Sequence, residues 1–169
     1  MAIQGGQRIL ASELNLALPI LARATADVTR TSSTTLTDAT GLAIALEADA
    51  LYALEGYLAY NAGETGDLKV AFTVPAGATG HWGLYPIATA STGSIGDLDA
   101  RRQAAFGAAT TQAAGGSAAF SSELMCPVFG YIDTAATAGT LQLQFAQNTS
   151  SGTGTTLKAG SWLMAFRLE

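Results

Sequence analysis

The chain has 169 residues and a mass of 17.2 kDa, the size of one domain with room for a short arm, and long enough to bury a core without a metal or a disulfide. Hydrophobic residues make up 49% and charged residues only 12%, which excludes a disordered solvating chain and implies that part of the surface is covered by something other than water. The net charge of −5 leaves no basic footprint for non-specific nucleic-acid binding.

Residues 1–30 read as an arm. Met1–Gly6 is a flexible lead, Ser12 can cap a helix with Asn15 at its third position, and Leu14, Leu18 and Leu21 recur at helical spacing. Pro19 limits that helix to one or two turns. Leu14–Ala24 mimics a signal-peptide core, but Glu13, Asn15, Pro19 and Arg23 interrupt it, so the expectation is a soluble chain made in the cytoplasm. No apolar run reaches the ~18 residues of a membrane span. The leucines of the arm either pack on their own domain or dock on a neighbouring subunit or particle, and the three are the candidate contact residues.

From about Asp27 the signal is β. Thr34–Thr37 reads as a short Thr-rich strand, and Leu42, Ile44 and Leu46 alternate with small residues. Ala50–Tyr60 is long and apolar; a helix fits it, but the TGLAIAL run before it and the NAGETGD turn after it bracket a strand better. Leu68, Val70 and Phe72 then alternate through Asp67–Val74, so the turn with alternation on both sides predicts a hairpin. Val74–Gly77 is a turn and His81–Ile87 an aromatic strand. Residues 88–122 are rich in Ala, Ser, Thr and Gly and read as the least ordered third. Leu124–Asp133 is a strand that Pro127 assigns to an edge or a bulge. In Thr140–Gln147 the residues Leu141, Leu143 and Phe145 face one way and Gln142 and Gln144 the other; a loop over Asn148–Thr155 and a last strand over Ser161–Leu168 follow. Eight to ten short strands separated by turns predict an all-β antiparallel sandwich or barrel over residues 31–169.

The residue types that carry chemistry are sparse. Cys126 and His81 each occur once, so no intrachain disulfide and no Cys-based zinc site can form. A Cys126–His81 nucleophilic pair is conceivable, but Cys126 lies in an apolar strand where a lone cysteine is ordinarily an inert core residue. Asp97 and Asp99 lack the carboxylate density of a calcium loop and read as solvated charges beside Arg101 and Arg102. Asn148-Thr149-Ser150 satisfies a glycosylation sequon but suits turn chemistry; Gly152 and Gly154 form no phosphate cradle, and no serine sits in a nucleophile elbow. No catalytic residue, cofactor or metal is expected.

Two stretches carry a resemblance. Thr137–Leu168, TAGTLQLQFAQNTSSGTGTTLKAGSWLMAFRL, resembles the C-terminal strands of small virion proteins of tailed phages, particularly phages of actinobacteria, which show a TAGTLQLQ(F/W)AQN strand, a Ser/Thr loop and a GS-apolar last strand. Arg8–Asn15 is similar to their ITASDLN start, with Leu10 where Thr is commoner and Glu13 where Asp is, and TSSTTLTDATGLAIALEADALYALEGYLAY and GDLKVAFTVPAGATGHW match loosely. The resemblance implies a non-enzymatic, jelly-roll-like homotrimer of the virion, with the phage major capsid protein or tail proteins as partners; from charge and hydropathy, no nucleic acid and no membrane insertion are expected. Its first implied role is a capsid decoration protein, trimeric on the head exterior and stabilising the shell. The alternative is a minor tail, tail-fibre or receptor-binding module, disfavoured by the absence of a shaft. A hydrolase or lyase on a β scaffold is a remote third.

Overall fold

The computed structural model describes residues 18–85, 103–106, 110–118 and 123–168. The described residues form twelve strands: β1 Ile20–Arg23, β2 Val28–Arg30, β3 Thr37–Leu46, β4 Leu51–Asn61, β5 Leu68–Thr73, β6 Thr79–Leu84, β7 Gln103–Ala105, β8 Gln112–Ala114, β9 Leu124–Asp133, β10 Gly139–Ala146, β11 Thr155–Leu157 and β12 Trp162–Arg167. They make an all-β antiparallel sandwich. One sheet has the order β1-β12-β4-β9-β6-β7, with β11 and β2 appended beside β4; the other runs β3-β10-β5-β8.

The core lies between the sheets and follows the period of two. Leu42, Ile44 and Leu46 of β3 lie beside Leu141, Leu143 and Phe145 of the neighbouring β10 on one inner face, as the alternation predicts, and all are buried. The opposite wall supplies Tyr52, Leu54, Leu58 and Tyr60 of β4, Trp82 and Leu84 of β6, and Cys126, Val128 and Ile132 of β9. Phe72, Trp82 and Phe106 pack edge-to-face or tilted within 6.5 Å of one another. Most polar groups that enter this interior are satisfied; among the described residues Arg30 Nε is the one buried side-chain atom without a hydrogen-bond partner. Tyr60 Oη donates to the Gly115 carbonyl at 2.7 Å, and the Thr134 hydroxyl accepts from Ala50 N and donates to the Glu47 carbonyl, locking the β3–β4 corner.

Several expectations are corrected. Leu21 is in strand β1, paired with Met164 of β12, so the helical spacing ends before it; Leu14 lies outside the described residues and Leu18 sits in the bend before β1. Ile20–Arg30 thus contributes two strands, β1 on β12 and β2 on β11, rather than the end of a helical arm. Thr34–Leu36 is not strand, because Thr37 is the first residue registered against β10. The NAGETGD turn does not close a hairpin: β4 pairs with β9, β12 and β11, while β5 pairs with β10 and β8 in the other sheet. The turn is a crossover, held by Gly63 accepting from the Gly66 and Asp67 amides. β9 is central, between β4 and β6, despite Pro127. The Pro127 carbonyl accepts from Tyr85 N at 3.0 Å, so the ring nitrogen also faces the β6 side, just where β6 ends, and no ladder bond to β4 is lost. Asp97, Asp99, Arg101 and Arg102 lie outside the described residues.

One bulge ties the layers together. Between Gln142 and Gln144 of β10 the register with β3 jumps from Ala43 to Asp38. The Gln142 amide closes this gap by donating to the Ala39 and Leu42 carbonyls at 3.1 and 3.2 Å. Gly41 within the bulge has φ +83°, and a Cβ there would stand 2.6 Å from the Arg23 carbonyl of β1.

Candidate docking face

The two outer faces of the sandwich differ in chemistry. Outside the four-stranded sheet lie Asp38, Ala43, Ala45, Lys69, Thr73, Thr140, Gln142 and Gln144, small or polar throughout. Gln144 Nε2 donates to Asp38 Oδ1 at 2.8 Å, and Lys69 Nζ to the Thr34 carbonyl at 2.6 Å. This is an ordinary hydrated surface.

The eight-stranded sheet presents the opposite. Its registered rows run across five strands: Arg23–Trp162–Tyr57–Pro127, then Leu21–Met164–Glu55–Phe129–Gly83, then Phe166–Ala53–Tyr131–His81. Tyr85, just beyond β6, lays its ring edge-on to Phe129 at 4.8 Å, and Met125 extends the surface along β9. Leu21 is 63% exposed, Met125 54%, Tyr131 45% and Phe129 43%. With strands ~4.8 Å apart and residues ~3.4 Å apart, the face spans roughly 20 by 20 Å. That is on the order of 400 Å² of sheet face, apolar but for Arg23, Glu55 and His81, comparable with the largest patch on a typical monomer, which is often functional.

The sheet builds this face because β9 and β12 are apolar at both parities. In β9 the inward residues are Cys126, Val128 and Ile132 and the outward ones Met125, Phe129 and Tyr131; in β12 Leu163 and Ala165 point in, and Trp162, Met164 and Phe166 point out. Continuous apolar runs are the mark of a strand covered on both sides. That signal is present in LMCPVFGYID and WLMAFRL, which are apolar at both parities.

Two charges stand on the face, Glu55 at its centre and Arg23 at its β1 margin, and neither takes part in an ion pair among the described residues. Their backbones lie two strands and two residues apart, about 12 Å, and the two side chains do not pair in the structure. The ion pairs that do form, Lys158–Asp27 and Arg167–Glu47, lie elsewhere. Lys158 and the Ala159 amide both bond Asp27, whose carboxyl is held below its ordinary range chiefly by the amide.

Of the three leucines proposed for contact, Leu21 stands on this face and Leu18 is exposed at its approach. The aromatic residues divide: Tyr52, Tyr60 and Trp82 are core, while Tyr57 and Trp162 are half-buried and Tyr85 is exposed on the outer face. No Cys–His pair forms. Cys126 points into the core, where burial pushes its thiol up to about 12, whereas His81 points outward and its Nδ1 shares a 3.0 Å hydrogen bond with Tyr131 Oη. Among the described residues no three His, Cys, Asp or Glu side chains gather as a metal site, and no helix is long and apolar enough to cross a membrane.

No family model matches the chain, and no curated protein matches it either. Solved structures similar to it include the Gx strain of infectious bursal disease virus, at 13% identity and a TM-score of 0.40, covering 89% of this chain and 34% of that one. The VP2 subviral particle of the same virus follows at 12% identity and a TM-score of 0.21, covering 89% and 41%. The chain thus spans between a third and two-fifths of those chains.

Proposed function

We propose that the protein is a non-enzymatic structural subunit of a tailed-phage virion, a decoration protein that sits on the head exterior as a homotrimer and stabilises the shell. The observation that carries this reading is the apolar outer face of the eight-stranded sheet. A soluble sandwich with one hydrated face and one face of Leu21, Met164, Phe129, Tyr131 and Trp162 is built to be covered by protein. The resemblance of Thr137–Leu168 to tailed-phage virion strands supplies the setting. The buried, unactivated Cys126 offers no nucleophile to an enzymatic reading.

Immunogold labelling of the encoding phage with antibody to the purified chain tests the reading. Label is expected on the heads, and heads assembled without the protein should release their DNA at a lower temperature than complete ones. Label confined to tails would transfer the protein to the tail, and unlabelled particles would end the virion assignment.

A further inference from the structure

We propose that the outer face of the eight-stranded sheet seats a neighbouring copy of this chain. The neighbour's β1 margin, with Leu18, Leu21 and Arg23, lies across Phe129 and Tyr131 and brings its Arg23 onto Glu55. This rests on the homotrimer reading and specifies the surfaces that make it.

Three observations select a second copy as the occupant. The first is charge complementarity. Glu55 stands between Met164 and Phe129 in its row, so covering the face with an apolar partner would strand a carboxylate in a drying surface. The chain carries the matching cation on its own margin, in Arg23, about 12 Å away backbone to backbone and not paired with Glu55. Another copy supplies that cation to the seat, and the guanidinium fork suits a carboxylate at an interface. The second is the exposure of the margin. Leu18 is 53% and Leu21 63% exposed, although β1 is anchored by four registered residues on β12 and by Ala24 bonding Ser161. The strand is firmly placed, with its leucines directed outward. The third is that seat and margin occupy different parts of one surface. A contact joining different patches is heterologous, and it closes into a ring when the rotation permits, as a trimer requires.

Each copy then gives its margin to one neighbour and its seat to the other. Three contacts of Arg23 on Glu55 form around the ring, and the aromatic cluster of Phe129, Tyr131 and Tyr85 lies under the incoming leucines. The small-residue outer face of the other sheet stays in water.

The test is a charge exchange read by sedimentation velocity of the full chain at micromolar concentration, with circular dichroism melting as the folding control. The wild type should sediment as a trimer. E55R and R23E each place like charges at every contact and should sediment as monomers with unchanged melting of the monomer fold, since both positions are exposed. L21E should do the same through the apolar part of the contact. The double variant R23E/E55R reverses every pair and should recover the trimer. A mixture of the two single variants adds a parity check. Unlike chains attract, but a ring of three must contain at least one contact between like chains, so the mixture should not form a closed trimer. A wild-type monomer would defeat the trimer reading itself. Variants that all remain trimeric would leave the trimer standing and remove this surface from it; if those trimers also fail to bind phage heads, the face is the seat of the capsid. A closed dimer from the mixture would show a twofold, face-to-face contact and overturn the ring.

Discussion

At the scale of single residues, most polar groups in the interior are answered by a partner, Arg30 Nε being the exception among the described residues. Asp67 is the most exacting case. It adopts φ +49°, and its Oδ1 accepts the Gly116 amide at 2.8 Å while the Asn148 side chain also bonds it. Burial outweighs these bonds and holds the carboxyl above its ordinary value of 3.8. The folded chain therefore binds this proton more tightly than the unfolded chain. The stability it contributes is complete below pH 3.8 and is lost as pH rises through the raised value. Asn keeps the acceptor, tolerates the left-handed backbone and carries no charge. Asp67→Asn should accordingly raise the urea midpoint at pH 7, with the gain shrinking as both proteins are titrated towards pH 4; a midpoint lowered at pH 7 would contradict this. Phe145 is the apolar counterpart, wholly buried, with the Arg30 guanidinium 5.0 Å from its ring centre. Phe145→Ala should cost about 3–5 kcal/mol in chemical denaturation. The inward turn of Phe145, Leu143 and Leu141 was legible because Gln142 and Gln144 interrupt them at every second position. Nothing local in DVTR or AGETGD marks which carboxylate stays exposed, as Asp27 does, and which is buried, as Asp67 is, because a crossover packed by distant residues decides it.

At the scale of elements, the strands were legible and their partners were not. Alternation locates β4, β5 and β10 to within a residue or so, and the second half of β3, since one face of each must be dry. Pairing is a long-range property. AGETGD between two alternating runs looks the same whether the chain folds back as a hairpin or steps to the second sheet, and here it steps. Pro127 is tolerated for a related reason: its ring nitrogen faces Tyr85, where the β6 ladder ends, and not β4. Leu21 shares the spacing of a helical stripe with Leu14 and Leu18, yet β12 offers an open edge, and pairing with it outweighs a helix shortened by Pro19. The bulge at Gly41 shows how closely the elements interlock. Gly41→Ala would force a side chain to φ +83° and press it on the Arg23 carbonyl. A loss of about 1–3 kcal/mol is expected for the backbone strain alone. Hydrogen exchange should show β1 and the adjoining part of β3 loosening together; loosening of β3 with β1 unchanged would mean that the bulge does not brace β1.

At the scale of the molecule, one sandwich carries two unlike exteriors, and the proposed assembly rests on that difference. Low charge in the sequence already implied a covered surface, but composition does not say which surface. The location emerges only when the register aligns Leu21, Met164, Glu55 and Phe129 in one row. The central claim is that this face is dry in the assembled protein. Hydroxyl-radical footprinting tests it most directly, comparing the wild type with R23E at the same micromolar concentration. In the wild type, oxidation of Met125, Phe129 and Tyr131 should be strongly suppressed relative to R23E, while residues of the opposite face, such as Lys69 and Gln144, react equally in both. Oxidation of Met125 and Phe129 at the same rate in the two proteins would show the face open to water and contradict the account.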